Sequence, residues 1–165
     1  MSRRKVAWPP WLPQRVKLYS IEDNDLGYGG FYSTVEAAQG VIDRMLATDW
    51  YQERSPVRFV RAVYPLYGMS GGRRVDRTHW KIEFYASRMC ERSLFHEMVH
   101  PLVWCRKGDT PADHEWDHGP EFCGALLLLY RRFQRATEAE VLQRLFDERG
   151  VRWWPEDRIR WMATR

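Results

Sequence analysis

Residues 93–103 read Ser93-Leu94-Phe95-His96-Glu97-Met98-Val99-His100-Pro101-Leu102-Val103. The apolar pairs Leu94–Phe95, Met98–Val99 and Leu102–Val103 recur every four residues, the period of a helix with a broad buried face. On such a helix His96 and His100 lie four residues apart, so both imidazoles project from one side and can chelate a single ion, with Glu97 beside them. The pattern H-E-x-x-H fixes only three positions in five, so its weight comes from its setting. Upstream, Thr78 to Tyr85 alternates Trp80, Ile82 and Phe84 against Lys81, Glu83 and Tyr85, the pattern of a half-buried strand. A strand leading into a buried helix that carries the histidines predicts an α+β domain: a small sheet packed on that helix, with further helices C-terminal to it.

Working outward, Val57 to Tyr64 is a second strand candidate, β-branched and aromatic, closed by Pro65. Gly68 to Arg74, with three glycines, reads as a flexible turn. Arg15 to Ile21 alternates Val16 and Leu18 against Lys17 and Tyr19 and reads as a short strand ending in the turn-rich Glu22–Asp25. Ser33 followed by Glu36 is a capping-box signature, and Ala38, Val41, Ile42, Met45 and Leu46 then form one stripe, predicting a helix over 34–49. Beyond the motif, Pro120 suits a first helical position, and Phe122, Ala125, Leu126 and Leu129 carry that helix to about Phe133. Thr137 with Glu140 suggests another capping box; Val141, Leu142, Leu145 and Phe146 form the stripe, and Gly150 sits where a C-terminal cap belongs. The chain therefore divides into an extended, proline-rich arm over 1–14, a domain over 15–150 and a basic tail over 151–165. The tail holds Trp153, Trp154 and Trp161 among arginines, a composition that covers a domain's own surface or makes weak contact with nucleic acid.

The composition bounds the function. With 165 residues, 44% hydrophobic and 29% charged, the chain suits one globular domain. A formal charge of +4 is too mild to identify a nucleic-acid binder by itself. The longest apolar run, Ala125 to Tyr130, is far short of the roughly 20 residues that cross a bilayer, which excludes a spanning role. Pro9, Pro10 and Pro13 interrupt the segment after the basic N-terminus and leave no apolar signal core, so a cytoplasmic location is expected. Cys90, Cys105 and Cys123 are odd in number and widely spaced, which argues for thiols in a reducing compartment.

A catalytic zinc ion needs a third protein ligand, for which His79, His114 and His118 remain. His118 is preferred, because His118-Gly119-Pro120-Glu121-Phe122 places it just before a helix start with its backbone fixed by Pro120. Eighteen positions separate it from His100, which excludes the close metzincin spacing and requires residues 105–113 to form a returning loop. His114-Glu115-Trp116-Asp117-His118 also matches H-E-x-x-H, but it lacks an apolar stripe and is hemmed by Pro111 and Gly119-Pro120, so His114 ranks as a loop residue first and a ligand second. His79 reads as a surface histidine. Cys105 and Cys123 each lie five residues beyond a proposed ligand and read as small buried hydrophobes before zinc ligands. Glu121 is either an outer partner of the site or an acidic residue favoured by the helix dipole, and Asp113 and Asp117 either orient imidazoles or are ordinary loop aspartates. One Zn2+ on His96, His100 and His118 would activate a water, with Glu97 as general base. Tyr130 and the arginines after it are oxyanion candidates by sequence proximity alone.

His96-Glu97-Met98-Val99-His100 followed at a distance by His118-Gly119-Pro120-Glu121-Phe122 resembles the small zinc metallohydrolases of actinobacteria and their phages. The resemblance covers Arg15 to Val151. The pairing of H-E-x-x-H with a later H-G-x-x-[FW] is also similar to the SprT-type proteases, which act on protein attached to DNA. It implies a zincin-like core and a hydrolytic role, with the three histidines as ligands and Glu97 as base.

Pro101 departs from that pattern. It removes one helical hydrogen bond and disfavours helical backbone at His100, which predicts a kink and a weakened chelate. Two functions are compatible with these residues. One is a zinc metallopeptidase acting on a protein or peptide. The other is a non-catalytic module, stabilised by zinc, that binds DNA or a protein partner.

Overall fold

The computed structural model of the chain describes residues 14–64, 71–84, 89–103, 118–133 and 136–164. The arm over 1–13 and the loop carrying Cys105, Asp113, His114 and Asp117 lie outside them.

The described residues begin with α1 (Gln14–Asn24), where a strand is expected over 15–21. Lys17, Leu18, Ile21 and Glu22 are buried while Val16 and Tyr19 are about two-fifths exposed. That spacing of burial is helical, and seven residues with two alternating apolar positions fit either period. Packing against the last helix decides the matter, with Lys17 Nζ donating to Gly150 O at 3.4 Å.

The second helix, α2 (Val35–Leu46), buries Ala38, Ile42 and Met45. Its cap is Thr34, not Ser33: the Thr34 hydroxyl accepts from the Ala37 N–H at 3.1 Å. A short α3 (Asp49–Gln52), capped by Thr48, delivers the buried Tyr51.

Three strands come next, β1 (Phe59–Val63), β2 (Gly71–Arg74) and β3 (His79–Glu83), in the order β1-β3-β2. β1 and β3 are parallel with Val60 opposite Trp80; β2 is antiparallel to β3 with Gly72 opposite Ile82. Residues 71–74, expected as part of a flexible turn, are therefore an edge strand, because their backbone groups are satisfied by β3. The outer edge of β1 is blunted by Gln39 of α2, whose side-chain amide donates to Val60 O and accepts from Ala62 N, both at 2.8 Å. Val60, Ala62, Trp80, Ile82 and Phe84 form the sheet's buried side.

The histidine-bearing helix is α4 (Glu91–Val103), packed beside α5 (Pro120–Phe133), which in turn packs on α6 (Ala136–Arg149). The kink expected at Pro101 does not end the helix, which continues to Val103. Pro101 lies in the last turn, where only the single bond back to Glu97 is lost. The Tyr51 hydroxyl donates to Met98 O at 2.8 Å and the Ser55 hydroxyl to Pro101 O at 2.9 Å, fastening that turn from outside.

Thr137 falls inside α6 and does not cap it; its hydroxyl bonds Glu138. Gly150 is the C-cap expected, at φ +64°, with Val151 N bonded to Phe146 O at 2.9 Å and both side chains buried, as in a Schellman motif. The tail then lies on its own domain. Trp153, Trp154 and Trp161 pack against the core, and Trp154 N donates to Pro120 O at 2.9 Å. Arg54 stands between Trp50 and Trp161, 4.8 and 5.3 Å from their ring centres. The fold is α+β, and among the described residues no helix is long and apolar enough to cross a membrane.

Candidate metal centre

Three elements converge on one point. α4 contributes His96, Glu97 and His100; His118 stands in the turn just before α5; α1 lays Tyr19 and Glu22 against them. A ligand atom from each of His96, His100 and His118 lies within 4.8 Å of the others. His96 Nε2 and His118 Nε2 are 3.0 Å apart. Continuity of α4 through Pro101 keeps His96 and His100 on one side, their ring centres 5.4 Å apart.

One histidine is held from behind, a second is held through its backbone, and the third is packed between rings. His96 Nδ1 meets both Glu22 oxygens, at 2.9 and 3.0 Å, which aims Nε2 at the cluster. Glu22 is itself a buried group in α1, and Arg92 fixes the helix end by donating to Glu22 O and to Asp23 at 3.0 Å. The His118 turn is pinned by Gln14 Nε2, which donates to His118 O at 3.3 Å and to Arg152 O at 2.9 Å. Trp80 stacks along His100 at 6.4 Å, and Phe122 fills the space against all three imidazoles at 4.6 to 5.0 Å.

The electrostatics suit a cation. Burial, reinforced by the charge of His96, pushes His100 down to about 3, and the same causes push His118 well below the ordinary histidine range. Both present neutral lone pairs at neutral pH. Burial also works against a charge on His96, but the charge and hydrogen bond of Glu22 outweigh it and hold this histidine up at about 8. A proton between two facing Nε2 atoms occupies the position a metal ion takes when it displaces protons from its ligands, so the donor set fits such an ion. Buried His118 Nδ1 has no hydrogen-bond partner, so nothing in the described structure fixes that ring through its far side.

Glu97 is buried, and burial raises its carboxyl against the opposing pull of His96 and of a hydrogen bond from the Gly72 N–H. Its Oε2 is 3.9 Å from His100 Nε2. Gly72 is required here: a Cβ at that position would lie 2.7 Å from Glu97 Oε2 and 2.6 Å from Trp80 Nε1.

Several residues singled out in the sequence lie elsewhere. Glu121 turns to the tail, accepting from Arg160 N at 2.6 Å. Cys123 is a buried thiol whose acidity burial suppresses; it lies behind the His118 turn, its Sγ 3.8 Å from His118 O, and Cys90 is likewise buried. His79 is an exposed partner of Asp76 at 2.9 Å. Tyr130 is buried against Phe95, 4.9 Å between ring centres. The phenol beside the cluster is Tyr19, with its hydroxyl 3.2 Å from His118 Nε2 and its ring stacked on His96 at 5.4 Å. Tyr19 and Glu22 escape a strand reading because their three-residue spacing aligns them only on a helix.

Glu22→Gln tests the support behind His96. Zinc affinity, measured by competition with a chromophoric chelator, is expected to fall 10- to 100-fold, while the far-ultraviolet circular dichroism stays unchanged. No family model, no curated protein and no solved structure matches the chain.

Proposed function

We propose that the protein is a zinc-dependent hydrolase of zincin-like architecture, acting as a peptidase. The observation that carries this is a buried Glu97 adjoining three imidazoles whose ligand atoms lie within 4.8 Å of one another. His96, His100 and His118 hold the ion, and Glu22 fixes the tautomer and aim of His96. When bound, Zn2+ supplies Lewis acidity toward a carbonyl oxygen and lowers the pKa of an attacking water. Glu97 takes the proton from the attacking water and passes it to the leaving amine. Its carboxylate is steadied by the Gly72 N–H, and its burial raises its basicity over a surface carboxylate. Tyr19, partly exposed at the rim, offers a hydroxyl donor to charge developing on the substrate oxygen.

A peptide is favoured as substrate by the position of β2. This edge strand touches Glu97 through Gly72, so an extended peptide pairing along the edge runs past the base. The same reading places the chain beside the small actinobacterial and phage metallohydrolases and the SprT-type proteases that its motifs resemble. The test is hydrolysis of a quenched fluorescent peptide library. Activity is expected in the zinc-loaded protein, abolished by a chelator and restored by zinc. A zinc-loaded protein that cleaves nothing, yet unfolds at lower temperature once chelated, would replace the enzyme with a binding module whose metal is structural.

A further inference from the structure

The side of the sheet turned away from α4 carries a second feature. Phe59, Arg61 and Val63 of β1 and His79, Lys81 and Glu83 of β3 share that face, with α2 as one wall, and together they bound an open groove of about 1120 Å³. In the ladder register Arg61 stands opposite Lys81, and Lys81 opposite Arg73 of β2. Three cations thus run side by side across three strands, an arrangement that costs stability through like-charge repulsion. No hydrogen bond and no ion pair within 4.0 Å joins the Arg61 or Arg73 side chain to another described residue, although Arg73 acts on Glu83 at longer range.

One row along, Phe59 stacks on His79 with ring centres 4.7 Å apart and planes within 15°, and Phe59 remains 61% exposed. A stacked aromatic pair that leaves an outer face in solvent is a platform for another flat ring. The two rows are about 7 Å apart, since each strand residue advances about 3.3 Å.

Acidic groups are present but engaged. Glu83 is tied to Lys81 at 2.5 Å, Asp43 of α2 accepts from Gln39 at 2.7 Å, and Asp76 holds His79. Four cationic side chains, Arg58, Arg61, Arg73 and Lys81, line the groove against the two carboxylates of Asp43 and Glu83. The excess is positive and lies on the Arg61–Lys81–Arg73 row.

We propose that this groove binds single-stranded nucleic acid, with a base stacked on the Phe59–His79 pair and the adjoining phosphates on the Arg61–Lys81–Arg73 row. Phosphate alone explains the cations but leaves the exposed aromatic platform without a role, and a duplex hides the base faces that the platform would meet. The site is separate from the histidine cluster, and the proposal does not depend on the metal.

The experiment is fluorescence anisotropy with labelled dT and rU oligonucleotides of about twelve residues, a length within the range of a single binding groove. Binding is expected near 50 mM salt, weakening with a log–log slope of about −0.7 per phosphate contacted. The two oligonucleotides separate DNA from RNA preference. Arg61→Glu with Arg73→Glu is expected to raise Kd at least tenfold, and Phe59→Ala about fivefold or more. An unchanged Kd in either variant, or tighter binding of the matching duplex, overturns the proposal. Circular dichroism and the melting midpoint check folding. If the charge reversal fails to fold, Arg61→Gln with Arg73→Gln, which relieves the repulsion, takes its place with the same expectation of weakened binding.

Discussion

His118→Ala, purified beside the wild-type chain and analysed for elemental content, is expected to carry no zinc where the wild type carries about one ion per chain. The reason is geometric. His96 and His100 come from one helix and form a chelate by spacing alone, but two imidazoles leave the ion bound as loosely as a surface histidine pair. His118 is the imidazole brought from a distant part of the chain, and its Nε2 stands 3.0 Å from that of His96. Loss of a group that only orients a ligand costs 10- to 100-fold in affinity, and loss of a ligand itself exceeds that. The variant should fold, because His118 Nδ1 makes no hydrogen bond, the turn is fixed through its backbone by Gln14, and α5 begins independently at Pro120. His114→Ala, in the same analysis, is expected to keep its zinc. Zinc retained by His118→Ala would remove His118 from the ligand set.

The two halves of the site differ in how far the sequence discloses them. The pairing of His96 with His100 on α4 is legible because helical spacing and an apolar stripe are local properties, and the place of His118 at a helix start is legible because Pro120 fixes the start of α5. The strands are legible from local signals too: β3 through alternation that matches its buried Trp80 and Ile82, and β1 through its β-branched and aromatic residues. The surroundings of the ligands are not local. Glu22 supports His96 across 74 positions, and Tyr19 reaches His118 across 99. Both sit in a segment too short for its period to be read, and the strand reading ends at Ile21 and leaves Glu22 in the turn beyond it, so it does not bring the two residues to one side. Gly72 is hidden differently: glycines in a row signal a turn, while here one of them is needed because Trp80 and Glu97 fill the space of a side chain. Pro101 misleads in the other direction. A rule about helix interiors overstates its effect in a last turn whose carbonyls are bonded by Tyr51 and Ser55, neither of which neighbours it in sequence.

Glu97→Gln separates chemistry from metal binding. The substitution is nearly isosteric, and its amide oxygen can still accept from the Gly72 N–H, so the cavity and the edge strand are kept. The three imidazoles are untouched, and zinc content is expected to equal that of the wild type. Turnover is expected to fall by about 10² to 10⁴, the contribution of a positioned general base, because an amide cannot take a proton from water. The pH dependence gives the sign independently. As the proposed base Glu97 would act only when ionised, so wild-type turnover is expected to fall as pH drops through its pKa, which burial raises above the ordinary carboxylate value. In the glutamine variant that acid limb, as far as it belongs to Glu97, should vanish from whatever activity remains. Acid also strips the metal by protonating its imidazoles, so the comparison holds only where both proteins retain their zinc. A variant that keeps full turnover with zinc in place would take Glu97 out of the reaction.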